Sequence, residues 1–211
     1  MSGNTFDNLP ADKRHRVLEA AEDEFAEHGF HQASINRIVR RLGIAKGSLF
    51  QYFGSKEGLF EHLFHNSLEE LKRPLREAEA NGGGFFSQVR GTMLAGLAFI
   101  DDHPRLYRIY LKLLFQENAP MRDKLLGIVA RSLEGYLGPI IDRARSEGEI
   151  RADADTSTVL FLVQAVLERF LQGTRVPGVD ASLFGVRDEE ASRRIDALVD
   201  LLRQGLGPCP N

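Results

Sequence analysis

The stretch ASINRIVRRLGIAKGSLFQYFGSK, residues 33–56, holds two short helical patterns with a tight break between them. Ser34 stands where a helix would open, and a serine hydroxyl there can accept a free main-chain N–H. Ile35, Ile38, Val39 and Leu42 then recur at helical spacing, which predicts one buried face. Gly43 follows where the chain must turn, and a glycine accepts the positive φ such a turn needs. Ile44 plugs the corner, and Ala45 to Tyr52 reads as a second helix with Leu49 and Phe53 facing inward. Two helices so joined form a helix-turn-helix, whose second helix is presented to the DNA major groove.

Charge points the same way. No acidic residue lies between Glu27 and Glu57, while Arg37, Arg40, Arg41, Lys46 and Lys56 are all basic. The window carries +5 in a chain whose net charge is −3, which leaves −8 for the rest. A basic island in an acidic protein is a footprint for a polyanion.

Three runs carry a resemblance: RVLEAA at residues 16–21, FAEHGF at 25–30 and GIAKGSLFQYFGSKEGLF at 43–60. Over Lys13 to Leu63, without a gap, they resemble the N-terminal domain of TetR-family transcriptional regulators. Helical spacing recurs along the whole chain with no convincing strand alternation, which predicts an all-α protein of about nine helices. By the resemblance, residues 1–56 would form a three-helix DNA-binding domain and residues 57–211 a helical domain for ligand binding and dimerisation. The resemblance also implies that Lys46, Gly47 and Ser48 start the recognition helix, with Gly47 letting the backbone approach DNA closely. Lys46 would reach a base or a nearby phosphate, since lysine can donate to guanine O6 and N7. Ser34, Asn36 and Arg37 would open the supporting helix, Ser34 toward phosphate and Asn36 at a position that reads bases in some relatives. Gln51 belongs to the same reading helix, and Tyr52 and Lys56 resemble the family's phosphate clamps. Phe50 departs from the pattern, which usually has tyrosine. A hydroxyl contact to phosphate is lost, and the ring can instead meet a thymine methyl or pack at the hinge.

Length and composition are those of an ordinary soluble chain. With 211 residues it can bury a large core without a staple, and its single cysteine, Cys209, allows no disulfide within the chain. The start, MSGNTFDNLP, lacks the apolar core of a secretory signal and reads as a disordered arm to Pro10. No apolar run approaches the ~18 residues a membrane span requires, so a cytoplasmic protein with no membrane partner is expected.

The rest of the chain reads as helix after helix. Ala11 to His28 carries Val17, Leu18, Ala21 and Phe25 on one face, and Gly29 stops it. Its acids, Glu19, Glu22, Asp23, Glu24 and Glu27, are expected to face away from DNA, while Lys13, Arg14 and Arg16 could touch phosphate or form no more than a solvated helix start. Ser55 caps a connecting helix running to about Ala80, in which Pro74 predicts a kink or an end near Arg73. Asn81 to Gly84 is a linker; no strand precedes it and no lysine follows where a phosphate-binding loop needs one. Helices are expected over Phe85 to Asp102, Pro104 to Glu117, Met121 to Glu147 (with a bend at Gly135, Gly138 and Pro139), Thr156 to Gln172 and Arg187 to Leu206. Thr156 to Gln172 is apolar nearly all round and so should be buried on two sides. With Arg187 to Leu206 it is the candidate homodimer interface, on which the resemblance implies a four-helix bundle.

A sequence-specific reader of this size needs two copies on a palindromic duplex, half-sites roughly 34–36 Å apart or a multiple of that. The middle helices are rich in methionines and aromatics, which can enclose an apolar or amphipathic effector but more often form plain core. Met93, Leu97, Tyr107, Tyr110, Leu114, Met121, Phe161 and Gln164 are the candidate ligand residues. By resemblance the protein is a repressor released by such a ligand, and a ligand-responsive activator is the alternative. No catalytic residues, metal site or cofactor are expected: there is no nucleophile elbow, no His-Glu-x-x-His and no cysteine pair. A helical small-molecule binder or enzyme, or a sequence-blind architectural DNA binder, fits less well. The latter would be basic overall, against a pI near 6.1 here.

Overall fold

The computed structural model describes residues 6–80, 82–116 and 118–208. Expectations placed on Met1 to Thr5, Asn81, Glu117 and Cys209 lie outside them. The described residues form nine α-helices and no strand. They are α1 (Ala11–Gln32), α2 (Ile35–Leu42), α3 (Lys46–Phe53), α4 (Lys56–Ala80), α5 (Phe85–Asp102), α6 (Pro104–Phe115), α7 (Arg122–Ser146), α8 (Thr156–Arg175) and α9 (Asp188–Leu206). The fold is all-α, and no helix among the described residues is long and apolar enough to cross a membrane. The chain divides into two compact units, Met1–Glu70 with Asp102–Val129, and Leu71–Asp101 with Ala130–Asn211.

In the first unit, Val17, Ala20, Ala21 and Phe25 form the buried stripe of α1. Gly29 breaks the helical path at φ 69°, and a further turn follows it to Gln32. That break brings Phe30 back into the core: Phe60 meets Phe25 at 4.8 Å and Phe30 at 5.4 Å between centroids, both edge-on. Edge-to-face rings set the partly positive rim of one against the negative face of another, which adds to the burial of their area. Ser55 caps α4 as the sequence predicts, its Oγ accepting the Gly58 N–H at 3.1 Å. Of the kink or end expected near Arg73, the end does not occur; α4 continues to Ala80. Along α1 runs α6, which opens with Pro104 in its first turn, where no N–H is needed. Arg105 Nε reaches Asp23 at 2.7 Å, and Lys112 Nζ donates to the Glu27 carbonyl at 3.2 Å.

The second unit is built on one apolar cluster. Phe85, Phe86, Val89, Met93 and Leu97 of α5 join Leu137, Ile140, Ile141 and Ala144 of α7. Val159, Val163, Leu167 and Phe170 of α8 complete it with Ile195, Val199, Leu202 and Leu206 of α9. The N-terminus of α5 is closed by the Glu149 carboxylate, which accepts the Phe85 N–H at 2.8 Å. Asp155 does the same for α8, accepting from the Thr158 N–H at 3.0 Å. Helix α7 passes through Gly135, Gly138 and Pro139 without ending. One expectation is corrected: α8 is not buried on two sides within the chain. Its Val159–Phe170 stripe faces the core, but Phe161 is 72% exposed and Leu162 is exposed beside it. One chain supplies a single packing layer for this helix. On α9, Leu201 is likewise exposed.

Candidate nucleic-acid interface

Helices α2 and α3 are each eight residues long, too short to persist alone, so their anchors decide their placement. Ile35, Ile38 and Val39 bury one side of α2, with Leu42 half-buried, and Leu49 alone is buried on α3. Between them Gly43 adopts the left-handed conformation, φ 67° and ψ 32°, and the Ile44 N–H bonds the Val39 carbonyl at 3.2 Å. The helix-turn-helix stands as read.

The cap at Ser34 does not. Its hydroxyl makes no capping bond; its main-chain N–H instead donates to Glu24 Oε1 at 2.7 Å. The same carboxylate holds Arg37, from Nε at 2.9 Å and from Nη2 at 2.5 Å. A carboxylate near the first turn of α2 also complements the positive end of the helix dipole, which is what the expected hydroxyl would have done more weakly. Burial pushes the Glu24 carboxyl up, but the Arg37 and Ser34 hydrogen bonds and the Arg37 charge outweigh it, and the group titrates below its ordinary value. Arg37 is held correspondingly higher.

The basic island is therefore smaller in space than in sequence. Glu24 takes Arg37, and Asp23 takes Arg41 at 2.5 Å while also holding Arg105. Lys56 Nζ donates to the carbonyls of Phe30 (2.7 Å), His31 (3.2 Å) and Ala33 (3.2 Å), and it lies 4.6 Å from the Phe30 ring centroid. Three N–H donors meet three acceptors, so Lys56 locks the last turn of α1 to the start of α4 and has no donor left for a phosphate clamp. Arg14, expected at phosphate, donates to the carbonyls of Asp7 (2.9 Å) and Leu9 (2.6 Å). Two of the acids of α1, Asp23 and Glu24, grip α2.

What remains bare is one side of α3. Lys46, Gly47, Phe50 and Gln51 are all exposed and lie on one face of the helix, with Ser48 and Tyr52 half-buried beside them. Phe50 is 40% exposed, with the Lys46 ammonium 5.7 Å from its ring centroid. That exposure leaves part of the ring open to solvent on the same face as Lys46. On α2, Asn36 and Arg40 are exposed, and Ser34 just before it is half-buried. Two glycines sharpen the picture. A Cβ on Gly58 would stand 2.0 Å from the Phe53 carbonyl oxygen, so the fold itself requires that glycine. A Cβ on Gly47 would meet nothing within 4 Å.

The candidate ligand residues fall into both units. Met93 and Leu97 are buried in the second unit, where Gln164 is half-buried and Phe161 lies at the surface. Tyr107, Tyr110, Leu114 and Met121 belong to the first, where the two tyrosine rings stack at 6.4 Å and Met121 is buried. Among the described residues no cluster of three or more His, Cys, Asp or Glu side chains is placed to hold a metal ion. Sequence reasoning missed Glu24 as the anchor of α2, and it missed Phe6. That residue, expected in a disordered arm, is 1% exposed and packs on Phe53 and His62.

Known proteins agree with this geometry. The family model for bacterial regulatory proteins of the tetR family matches residues 17–63. The HTH-type transcriptional repressor AcnR of Corynebacterium glutamicum is 41% identical over 170 residues, 77% of this chain and 81% of that protein. The HTH-type transcriptional activator FasR of Mycolicibacterium smegmatis is 30% identical over 152 residues, 71% of this chain and 68% of its own. The crystal structure of a TetR family transcriptional regulator from Chloroflexus aurantiacus superposes with a TM-score of 0.75 at 28% identity, covering 97% of both chains. With a helix-turn-helix whose second helix is bare, and with relatives of this identity over most of its length, the chain belongs to the TetR family: it is a DNA-binding transcriptional regulator and not an enzyme.

Proposed function

We propose that the protein is a cytoplasmic repressor that binds a palindromic operator as a homodimer and is released by a small apolar or amphipathic ligand. Residues 1–56 read DNA; residues 57–211 sense the ligand and dimerise. The observation that carries the reading is the exposed face of α3, with an open approach at Gly47 and a partly exposed aromatic ring at Phe50. Lys46 and Gln51 supply base-directed donors and acceptors there, and Phe50 offers its ring to a thymine methyl. Ser34, Asn36, Ser48 and Tyr52 hold the backbone, while Arg37 and Lys56 act by fixing α2 and α4. Repression is favoured because the 41%-identical relative carries that name, although the 30%-identical one is an activator.

Phe161 and Leu162 on α8 and Leu201 on α9 are large apolar groups left in water by the single chain. A second copy would cover them, at residues 156–172 and 187–206, so Phe161 is assigned to the dimer face. The ligand would enter the apolar interior of the second unit, against Met93 and Leu97 with Gln164 as a polar handle. To release DNA it must bind the DNA-incompetent state more tightly; a tenfold preference supplies about 1.4 kcal/mol.

Selection of random duplex DNA by the purified protein, at low and at physiological salt, tests this. A palindrome enriched at both salts is the expected result, and a reporter placed behind it then separates repression from activation. Sequence-blind binding that vanishes with salt would leave only non-specific phosphate attraction and would overturn the reading.

A further inference from the structure

Phe6 is the only aromatic residue among the first ten, and the fold buries it almost completely, at 1% exposed. Its ring centroid lies 4.7 Å from that of Phe53 and 5.9 Å from that of Tyr52, both in the last turn of α3. On its other side the His62 ring of α4 meets it edge-on at 5.1 Å. The segment is tied down as well as packed. The Leu9 N–H donates to the Phe6 carbonyl at 3.0 Å, and Arg14 Nη1 grips the carbonyls of Asp7 and Leu9. Pro10 then opens α1 by accepting the N–H groups of Lys13 and Arg14, each at 3.0 Å. Residues 6–10 thus form a strap from the start of α1 to the far end of α3.

Helix α3 needs such a strap. Its only fully buried side chain is Leu49, in its first half, and a two-turn helix held at one point can pivot about it. Phe53, which would fix the other end, is only half-buried and is covered by the Phe6 ring. Tyr52 beside it has a hydroxyl with no partner among the described residues, and its ring contacts are to Phe6 and Phe53. We propose that Phe6 is a positioning residue for DNA recognition, orienting the last turn of α3 and the Tyr52 hydroxyl without itself touching DNA. The proposal rests on α3 being the recognition helix.

The test measures affinity of the full-length protein for a duplex it has selected, well below the melting temperature of each variant and across a salt series. Phe6→Ala is expected to weaken binding about tenfold, the scale of one hydrogen bond to a charged oxygen. Its salt dependence should match the parent's, because no cation has been removed. In a Tyr52→Phe background the same substitution should add little further loss. Phe6→Leu keeps apolar volume without the ring contacts; a smaller loss, again absent beside Tyr52→Phe, is expected and serves if Phe6→Ala does not fold. A strap that merely stabilises would lower the melting temperature and leave affinity unchanged, or would add in full to Tyr52→Phe; either result overturns the proposal. Lys46→Ala is the control. If it weakens binding and the Phe6 variants do not, the strap alone fails; if it too is silent, the reading of α3 fails with it.

Discussion

Helices α2 and α3 have the same length and adjoin in sequence, yet they are opposite in kind. Of the three arginines on α2, two are bound by acids of α1, Arg37 by Glu24 and Arg41 by Asp23. The one cation of α3, Lys46, has no carboxylate partner among the described residues and lies near the face of an exposed phenylalanine. One helix uses its charge to hold itself in place, and the other leaves its charge unpaired by any described carboxylate. Formal charge along a sequence is therefore a poor measure of what DNA would feel. Five cations count in the 33–56 window, but two are paired with acids upstream, and a third, Lys56, keeps its charge while its donors are taken by main-chain carbonyls.

The strongest way to break this contrast is to release α2. Glu24 is the acceptor for Ser34 N–H and for two nitrogens of Arg37, so Glu24→Gln weakens several charge-assisted bonds at once. A loss of about 1.5–3 kcal/mol in urea unfolding at neutral pH is expected, the range for hydrogen bonds to a charged group. The pH dependence has a definite sign. Although burial raises the carboxyl, its Arg37 and Ser34 partners depress it further, to below the ordinary value of 4.5. Stability from this site is then fully present above about pH 4.5 and is lost as pH falls through the lowered folded value. The gap between parent and variant should close on acidification below 4.5. A gap that stays constant with pH would mean that the pair fixes shape without contributing free energy through charge.

The second test sets the two helices against each other directly. Lys46→Ala should weaken operator binding about tenfold and flatten the slope of log affinity against log salt by about one, as for a lost cation. Arg41→Ala should leave that slope nearly unchanged, because Asp23 already balances Arg41 in the free protein. Equal slope changes from the two would show that DNA outcompetes Asp23, and that α2 is a second probe rather than a clamp.

Much of this was legible in the sequence, for a physical reason. Helical repeats of Ile, Val and Leu, the glycine at 43, the serine at 55 and the proline at 104 act within a turn or two of themselves, and each does in the structure what its local chemistry predicts. What was not legible depends on partners remote along the chain. Glu24 reaches Arg37 thirteen residues on, and Lys56 reaches back to Phe30 across twenty-six. Phe6 looked like a stray aromatic in a polar arm because its partners, Phe53 and His62, become neighbours only once three helices have packed. At Ser34 a local rule and a distant carboxylate competed for the same role, and the carboxylate won because it serves Ser34 and Arg37 together. The roles at DNA and ligand are a different matter, since they depend on molecules the chain does not contain.

The finest test uses the glycine that the fold does not need. In a helix a glycine costs about 0.5–1 kcal/mol relative to alanine, because it gives up more backbone freedom on folding. At Gly58 that cost is unavoidable, with the Phe53 carbonyl oxygen only 2.0 Å from where a Cβ would sit. At Gly47 no atom lies within 4 Å of the same position, so Gly47→Ala should raise stability by about 0.5–1 kcal/mol. If the bare face of α3 lies against DNA at Gly47, the same methyl should weaken operator binding while the salt slope stays fixed, since the charge is unchanged. Higher melting temperature with poorer binding would place the reason for Gly47 outside the protein. Higher melting temperature with unchanged binding would mean that the backbone keeps its distance from DNA at this turn, and that the longer side chains of Lys46, Phe50 and Gln51 do the reading across the gap.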